Sequence, residues 1–103
     1  MKITFLVPPP IDGKIPERVS GCAYLLYYVP NIFILGAAAV LEKEGYEVVY
    51  KETTIKKWNR VRFIAFLRED LSDVYCFYSV NLSQKTDIQA LHDIRETRGN
   101  VPV

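Results

Sequence analysis

The chain has 103 residues, half of them hydrophobic and 24% charged, which is enough for one small folded domain and argues against disorder. Thirteen basic and twelve acidic side chains leave a net charge of +1, so a general attraction to nucleic acid or to an anionic membrane is not expected. The apolar run Ile32–Leu41 is about half of the ~18 residues that a membrane span needs. Cys22 and Cys76 form no disulfide framework, and no signal peptide precedes the first strand, so we expect a cytoplasmic protein.

The first predicted element is an apolar strand, Ile3–Val7, which Pro8, Pro9 and Pro10 end because proline cannot donate to a sheet ladder. The loop that follows, residues 11–30, is far longer than the usual ~2–6 residues between a strand and a helix. In an open α/β sheet such a loop leaves the carboxyl end of a central strand, where ligands bind. We therefore expect any ligand site to lie there.

Helices and strands alternate in the rest of the chain. The predicted elements are a helix Ile32–Glu44 capped by Asn31 and ended by Gly45, a strand Tyr46–Tyr50, a helix running from about Trp58 to Asp70, and a strand Asp73–Ser79. The start of the second helix is unclear, because Lys56 and Lys57 would oppose its dipole.

The third predicted helix has capping-box spacing at Thr86 and Gln89 and ends at Gly99. Its predicted apolar stripe is Ile88, Leu91 and Ile94. The remaining residues, 100–103, are expected to open a fourth strand.

This alternation predicts an α/β fold with a parallel sheet and right-handed crossovers. Ile3–Val7 is almost wholly apolar and Val74–Tyr78 is apolar throughout, so both are expected inside the sheet, whereas Glu47–Tyr50 is mixed and suits an edge. We therefore predict a flavodoxin-like, Rossmann-like three-layer sandwich with strand order 2-1-3, in which Asn100–Val103 is a fourth-strand stub. Residues 1–103 would then be a single domain that is cut short. The third strand's outer edge would invite pairing with a second copy of the chain, so the chain is expected to be either a homo-oligomer or poorly soluble.

Several kinds of site are excluded or weak. Neither a Gly-x-Gly-x-x-Gly nor a Gly-Lys-Ser/Thr phosphate loop is present, and the acidic residues of a phospho-acceptor receiver are missing. His92, the only histidine, has no cysteine or carboxylate cluster at ligand spacing, and Cys76 suits a core position. Cys22 lies in the long loop with no base nearby in sequence. A local basic run is most simply a solvated face: Lys51, Lys56, Lys57, Arg60 and Arg62.

Several stretches, taken together in their order and spacing, are informative: Val7–Pro10, Ile15–Cys22, Pro30–Asn31, Ala38–Val48, Asp73–Ser83 and Thr86–Asp87. This set resembles the amino-terminal cobalamin-binding domain of cobalamin-dependent radical SAM enzymes. The resemblance covers nearly the whole chain, although no single motif is specific to that family.

The resemblance implies a flavodoxin-like sheet whose strand ends hold the corrin ring. It also implies a downstream barrel that carries S-adenosylmethionine and a 4Fe-4S cluster. The Asp-x-His-x-x-Gly motif, whose histidine ligates cobalt in other cobalamin proteins, is absent, because no histidine follows Asp12-Gly13; the radical SAM branch commonly lacks it too. The three closely spaced cluster cysteines are also missing, so no catalytic machinery and no protein metal ligand is expected within this chain.

A crevice should open where the loops after strands one and three diverge. Its predicted cofactor-binding residues are Pro8, Pro9, Pro10, Gly21, Ser79, Asn81, Ser83 and Gln84. Short hydroxyl and amide side chains suit the peripheral amides of a corrin, and glycine permits close approach of a flat ring. Residues 79–84 are as readily a turn that caps the third helix. The expected function is a cobalamin-binding module of a radical SAM methyltransferase or cyclase; the alternative is an interaction or structural domain that has kept the fold and lost the corrin site.

Overall fold

The computed structural model describes residues 1–11, 32–53, 57–80 and 83–103. Three strands and three helices alternate in them: β1 (Lys2–Val7), α1 (Ile32–Lys43), β2 (Glu47–Glu52), α2 (Arg60–Glu69), β3 (Val74–Phe77) and α3 (Gln84–Arg98). The strands form one sheet in the order β2-β1-β3, and both pairings are parallel. The predicted flavodoxin-like α/β architecture and strand order are confirmed.

β1 lies at the centre of the sheet because it is apolar on both faces. Ile3, Phe5 and Val7 point to the face that α1 covers with Ile34 and Ala38. On the other face, Leu6 of β1 packs with a cluster drawn from α2, β3 and α3: Phe63, Leu67, Tyr75, Ala90 and Ile94. Successive side chains of a strand point to opposite faces, so this central strand contributes to two core layers at once.

Two glycines end helices, as predicted. Gly45 has φ 96° and Gly99 has φ 66°, conformations that a residue with a Cβ rarely adopts. The start of α2, which the sequence left unclear, is set by Asn59. Its side-chain oxygen accepts a hydrogen bond from the backbone N–H of Arg62 at 2.9 Å.

The predicted apolar stripe of α3 is largely wrong. Ile94 is fully buried, but Ile88 is 47% and Leu91 is 37% exposed. The helix instead turns Asp87 and Asp93 inward, and both carboxylates have hydrogen-bond donors there. The predicted Thr86–Gln89 capping box is also wrong, because α3 begins two residues before Thr86, after Ser83 as its N-cap. Partners on other segments, which periodicity does not reveal, decide the orientation of this helix.

The third strand is shorter than predicted, and its outer neighbour is not a strand. Within β3 only Tyr75 is fully buried, and the other three residues are partly exposed, so the prediction that this strand is buried on both faces is wrong. Residues 101–103 lie beside β3, as expected of the stub, because the N–H of Tyr75 donates to the carbonyl of Pro102 at 3.0 Å. They form no strand. Pro102 lacks the N–H that would continue a ladder.

Among the helices described, none is both long and apolar enough to cross a membrane.

Candidate functional site

The carboxyl ends of β1 and β3 bring together part of the predicted site. Leu6 is paired with Phe77, and the chain continues two residues further to Pro8 on one strand and Ser79 on the other. Pro8 and Pro9 are buried and Pro10 is half-buried, so the prolines form a rigid floor where β1 ends. The predicted Gly21 and Asn81 lie outside the described residues.

Two serines after β3 bind one carboxylate. The hydroxyls of Ser79 and Ser83 each donate to Oδ2 of Asp87 at 2.7 Å. Asp87 lies in the first turn of α3, where the helix dipole favours a negative charge, and is only 5% exposed. Ser79 is an exposed residue, and because its one hydroxyl proton is donated to Asp87, its oxygen can take part in further hydrogen bonds only as an acceptor.

Ser83 and Gln84 differ in their exposure to solvent. Ser83 is fully buried, and its oxygen also accepts from the N–H of Val80 at 3.1 Å. Its hydroxyl is used by the turn, so Ser83 supports the loop and has no open surface toward a ligand. Gln84, the first residue of α3, is exposed and lies along a shallow groove of about 530 Å³ on the outer side of that helix.

A deeper cleft of about 570 Å³ opens on the other side of α3, between α2 and α3 and beneath the end of β1. Its apolar lining is Pro9, Pro10, Ile11, Trp58, Val61, Phe63 and Ala90, and its polar lining is Asn59, Arg60, Thr86, Gln89 and Asp93. Ala90, the smallest of the side chains on its α3 wall, leaves room where a larger residue would close the gap between the helices. Apolar walls with a few polar groups are typical of small-molecule sites of this size.

An ion pair anchors one wall of this cleft. Asp93 is 2% exposed, and its carboxylate accepts from Nη2 of Arg60 at 2.8 Å and from Nε of Arg60 at 3.2 Å. The amide nitrogen of Gln89 donates to the same carboxylate at 3.2 Å. The side chain of Arg60 remains 57% exposed, and the hydrogen bonds and charge of Asp93 raise its pKa. The two-point contact holds the guanidinium in a fixed direction.

The turn before α2 positions Trp58, the tryptophan that lines the cleft. Lys57 has a positive φ of 55°, and the next residue, Trp58, donates its backbone N–H to the carbonyl of Thr53 at 3.0 Å. The indole packs against Phe66 at a centroid distance of 5.5 Å. The cleft wall is thereby tied to the end of β2.

Sequence reasoning missed the cleft. It assigned Arg60 to a solvated basic run and did not use Trp58, Gln89 or Asp93 as site residues. The one available signal was the spacing of Gln89 and Asp93 at i and i+4, which places them on one face of a helix. Arg60, which contacts Asp93, is 33 positions away from it in the sequence, and no local sequence pattern predicts that contact.

A second polar cluster lies at the opposite, amino end of the sheet. Asp70, the C-cap of α2, accepts from the phenol of Tyr75 at 2.6 Å and from Nζ of Lys2 at 3.1 Å. Burial disfavours the charged carboxylate, but hydrogen bonds from Ser72, Tyr75 and Lys2 outweigh it and lower the pKa of Asp70 to about 2. Arg98 donates to the carbonyl of Ser72 at 2.8 Å. This network joins β1, β3 and two helix ends, and it stabilises the fold far from the cleft.

Within the described ranges, no group of three or more histidine, cysteine or acidic side chains is placed to hold a metal ion. Burial raises the pKa of the Cys76 thiol, as suits a core position. Comparison with known proteins gave no match to a family model, to a curated protein or to a solved structure.

Proposed function

We propose that this domain is a cobalamin-binding module of a radical SAM enzyme of the methyltransferase or cyclase type, and that it is not catalytic on its own. The sequence resemblance suggests the cofactor, and the topology supports a ligand site in the right place. In the order β2-β1-β3 the connections diverge between β1 and β3, which is where ligands bind in open α/β sheets.

The observation that carries the proposal is the exposed residue Ser79, which follows β3 at the edge of the sheet where Pro8 follows β1. The hydroxyl proton of Ser79 is donated to Asp87, so the Ser79 oxygen could accept a hydrogen bond from a ligand bound at the carboxyl ends of β1 and β3. The rim of a corrin carries primary amides, whose N–H groups would satisfy this acceptor without bringing charge. Pro10 and the side chain of Gln84 are also accessible on this end of the molecule. These residues fit the group; they would hold its periphery, and the cofactor when bound would supply the cobalt chemistry.

S-adenosylmethionine and the 4Fe-4S cluster belong, in this proposal, to a downstream radical SAM barrel, which would be the partner of the module in a cytoplasmic parent enzyme. Self-association through the outer edge of β3 is a further proposal. One N–H of that edge already bonds to Pro102. Sedimentation at several concentrations tests it, and a stable monomer at high concentration would argue that the edge is sufficiently covered.

Visible absorbance tests the cofactor proposal directly. Purified chain, and its full-length parent, are incubated with hydroxocobalamin and passed through a desalting column. We expect a coloured protein fraction from the parent and a weaker signal from the chain. Replacing Ser79 and Asn81 together by leucine in the parent should weaken binding. Both alanine and leucine remove the hydroxyl that contacts Asp87, but leucine also adds bulk, so Ser79→Ala is the cleaner variant, with Thr97→Ala at the far end of α3 as the control.

Colourless protein in both preparations would favour the alternative, an interaction or structural domain without a corrin site. One observation supports that alternative. The outer side of α1 carries three large apolar side chains that are more than half exposed: Ile32 at 66%, Phe33 at 55% and Val40 at 63%. Apolar surface of this kind is common at protein–protein contacts.

A further inference from the structure

We propose that the cleft between α2 and α3 is a separate binding site for a compact, flat, apolar acid, with the carboxylate on Arg60 and the ring between the apolar walls. This inference does not depend on cobalamin binding, because the cleft lies on the α2–α3 face of the sheet and is built from residues that the corrin site does not need, apart from the prolines at the end of β1.

The size and lining of the cleft suit one aromatic ring system. Its volume is about 570 Å³, within the ~300–1,000 Å³ range of ligand pockets. The half-buried Trp58 supplies aromatic surface on the α2 side, and the fully buried Phe63 packs behind that wall. The half-buried Pro10 supplies a rigid surface at the end of β1, and the small side chain of Ala90 keeps the α3 side open. Flat ligands bind such walls through burial of apolar area and through ring contacts.

Arg60 favours an acid over a neutral compound. Its contact with Asp93 uses Nε and Nη2, and a guanidinium has five N–H donors in total, so donors remain for a second acceptor. The side chain of Asp93, which also lines the cleft, is only 3% exposed, whereas the Arg60 side chain is 57% exposed. A ligand anion would therefore approach the positive group more closely than the negative one, and Coulomb attraction falls with distance.

The surrounding charges agree with this preference. The first turn of α2 contains no acidic residue, and Lys57 and Arg62 flank the cleft residues. Two acidic residues, Asp93 and Glu96, interact electrostatically with Arg60. Basic residues at the start of a helix oppose its dipole. An anion at Arg60 would relieve that conflict, which otherwise reduces the stability of α2.

The test uses two probes of the same shape, 2-naphthoate and its neutral amide, 2-naphthamide. Trp58 is the only tryptophan of the chain and lines the cleft, so its fluorescence reports binding there. We expect both probes to quench it, and naphthoate to bind about 10-fold more tightly, as one charge-assisted hydrogen bond would give. Absence of quenching by naphthoate, or equal affinities for the two probes, would overturn the proposal.

Variants separate the two parts of the site. Removing Arg60 alone would leave Asp93 buried and unpaired, so the informative change is the double variant Arg60→Gln/Asp93→Asn, which removes both charges and can keep a hydrogen bond between the side chains. It should abolish the preference for naphthoate while leaving the affinity for naphthamide unchanged. The double variant Arg68→Gln/Glu69→Gln, at the other end of α2, is the matched control and should keep the preference.

Ala90→Leu tests the cleft itself. The larger side chain would occupy the space between the helices, so both probes should lose at least about 10-fold in affinity, whereas the far-ultraviolet circular dichroism stays native. Retained binding of both probes in a folded Ala90→Leu protein would show that they bind elsewhere and would refute the site.

Discussion

The phenol of Tyr75 donates a 2.6 Å hydrogen bond to the carboxylate of Asp70, and this contact joins β3 to the C-terminal cap of α2. Tyr75 is fully buried and Asp70 is 7% exposed. A second hydroxyl, that of Ser72, bonds to Thr4 at the centre of the sheet. The end of the sheet at which the strands begin is thus held by a buried polar network.

Removing the phenol hydroxyl should destabilise the domain. In Tyr75→Phe, Asp70 loses one of the donors that compensate its burial, and we expect the free energy of unfolding to fall by about 1–3 kcal/mol at pH 7. Urea denaturation followed by circular dichroism measures the change. Tyr46→Phe is the control, because Tyr46 is 41% exposed and should have little effect. Equal stability of the two variants would show that the Tyr75 hydroxyl is dispensable.

The same network predicts the acid limit of stability. The pKa of Asp70 is lowered to about 2 in the folded protein, against an ordinary value of 3.8 for an aspartate side chain. A lowered pKa means that the stabilisation is complete above pH ~4 and is lost as the pH falls toward 2, with a size of about 1–2 kcal/mol. Urea midpoints between pH 5 and pH 2 should decline, and Asp70→Asn should have a lower stability at pH 5 and a flatter profile. A wild-type-like slope in that variant would contradict the assignment to Asp70.

At alkaline pH the free energy of unfolding should instead fall as the pH rises. Burial and the neighbouring Asp70 raise the pKa of the Tyr75 phenol above 10.0. A group that is neutral when protonated and whose pKa is raised by folding contributes stability that is full below its unfolded pKa and is lost at higher pH. Unfolding above pH 10 should therefore be easier, and less so in Tyr75→Phe.

The sequence was sufficient for the layers of the fold and insufficient for the cleft. Four of the five residues in Ile3–Val7 are apolar, and they lie on both faces of the strand, which is a local property that favours a central position in the sheet. The orientation of α3 depends instead on Asp87 and Asp93, whose donors lie on a neighbouring loop and on α2. A carboxylate is expected outside until its partners are known. The apolar-stripe prediction failed because it counted only apolar positions.

The same reasoning applies to the predicted ligand residues. Pro8 and Ser79 could be placed together because parallel strands end at the same edge. That Ser83 is buried and Ser79 is exposed could not be read from the sequence, since the two serines are four residues apart in one loop and chemically identical.

The cap of α2 offers a test of helix-end chemistry at the cleft. Asn59→Ala removes the acceptor for the N–H of Arg62 and should cost about 1 kcal/mol of unfolding free energy. Asn59→Asp keeps an acceptor and adds negative charge beside a basic first turn, so it should be at least as stable as the natural chain. Thermal or urea unfolding ranks the three proteins. A ranking in which Asp falls below Ala would contradict the capping role.

Two glycines of the α1 region should respond oppositely to the same substitution. Gly45 has φ 96°, so Gly45→Ala introduces backbone strain and should destabilise by about 1 kcal/mol. Gly36 lies within α1, and a Cβ there meets no atom within 4 Å, so Gly36→Ala should stabilise by about 0.5–1 kcal/mol through its helix propensity. Urea midpoints of the two single variants decide the point; a shift in the same direction for both would contradict it.

The two serines on Asp87 should differ in what they contribute. Ser83→Ala leaves the partly buried N–H of Val80 without its side-chain acceptor and removes one buried donor from Asp87, so it should cost about 1–3 kcal/mol. Ser79 is exposed, and water can replace its hydroxyl, so Ser79→Ala should cost less than about 1 kcal/mol. Urea unfolding of both variants measures the difference. If Ser79→Ala lowered the free energy of unfolding more than Ser83→Ala did, Ser79 would be the structural residue of the loop. That result would argue against its role in ligand binding.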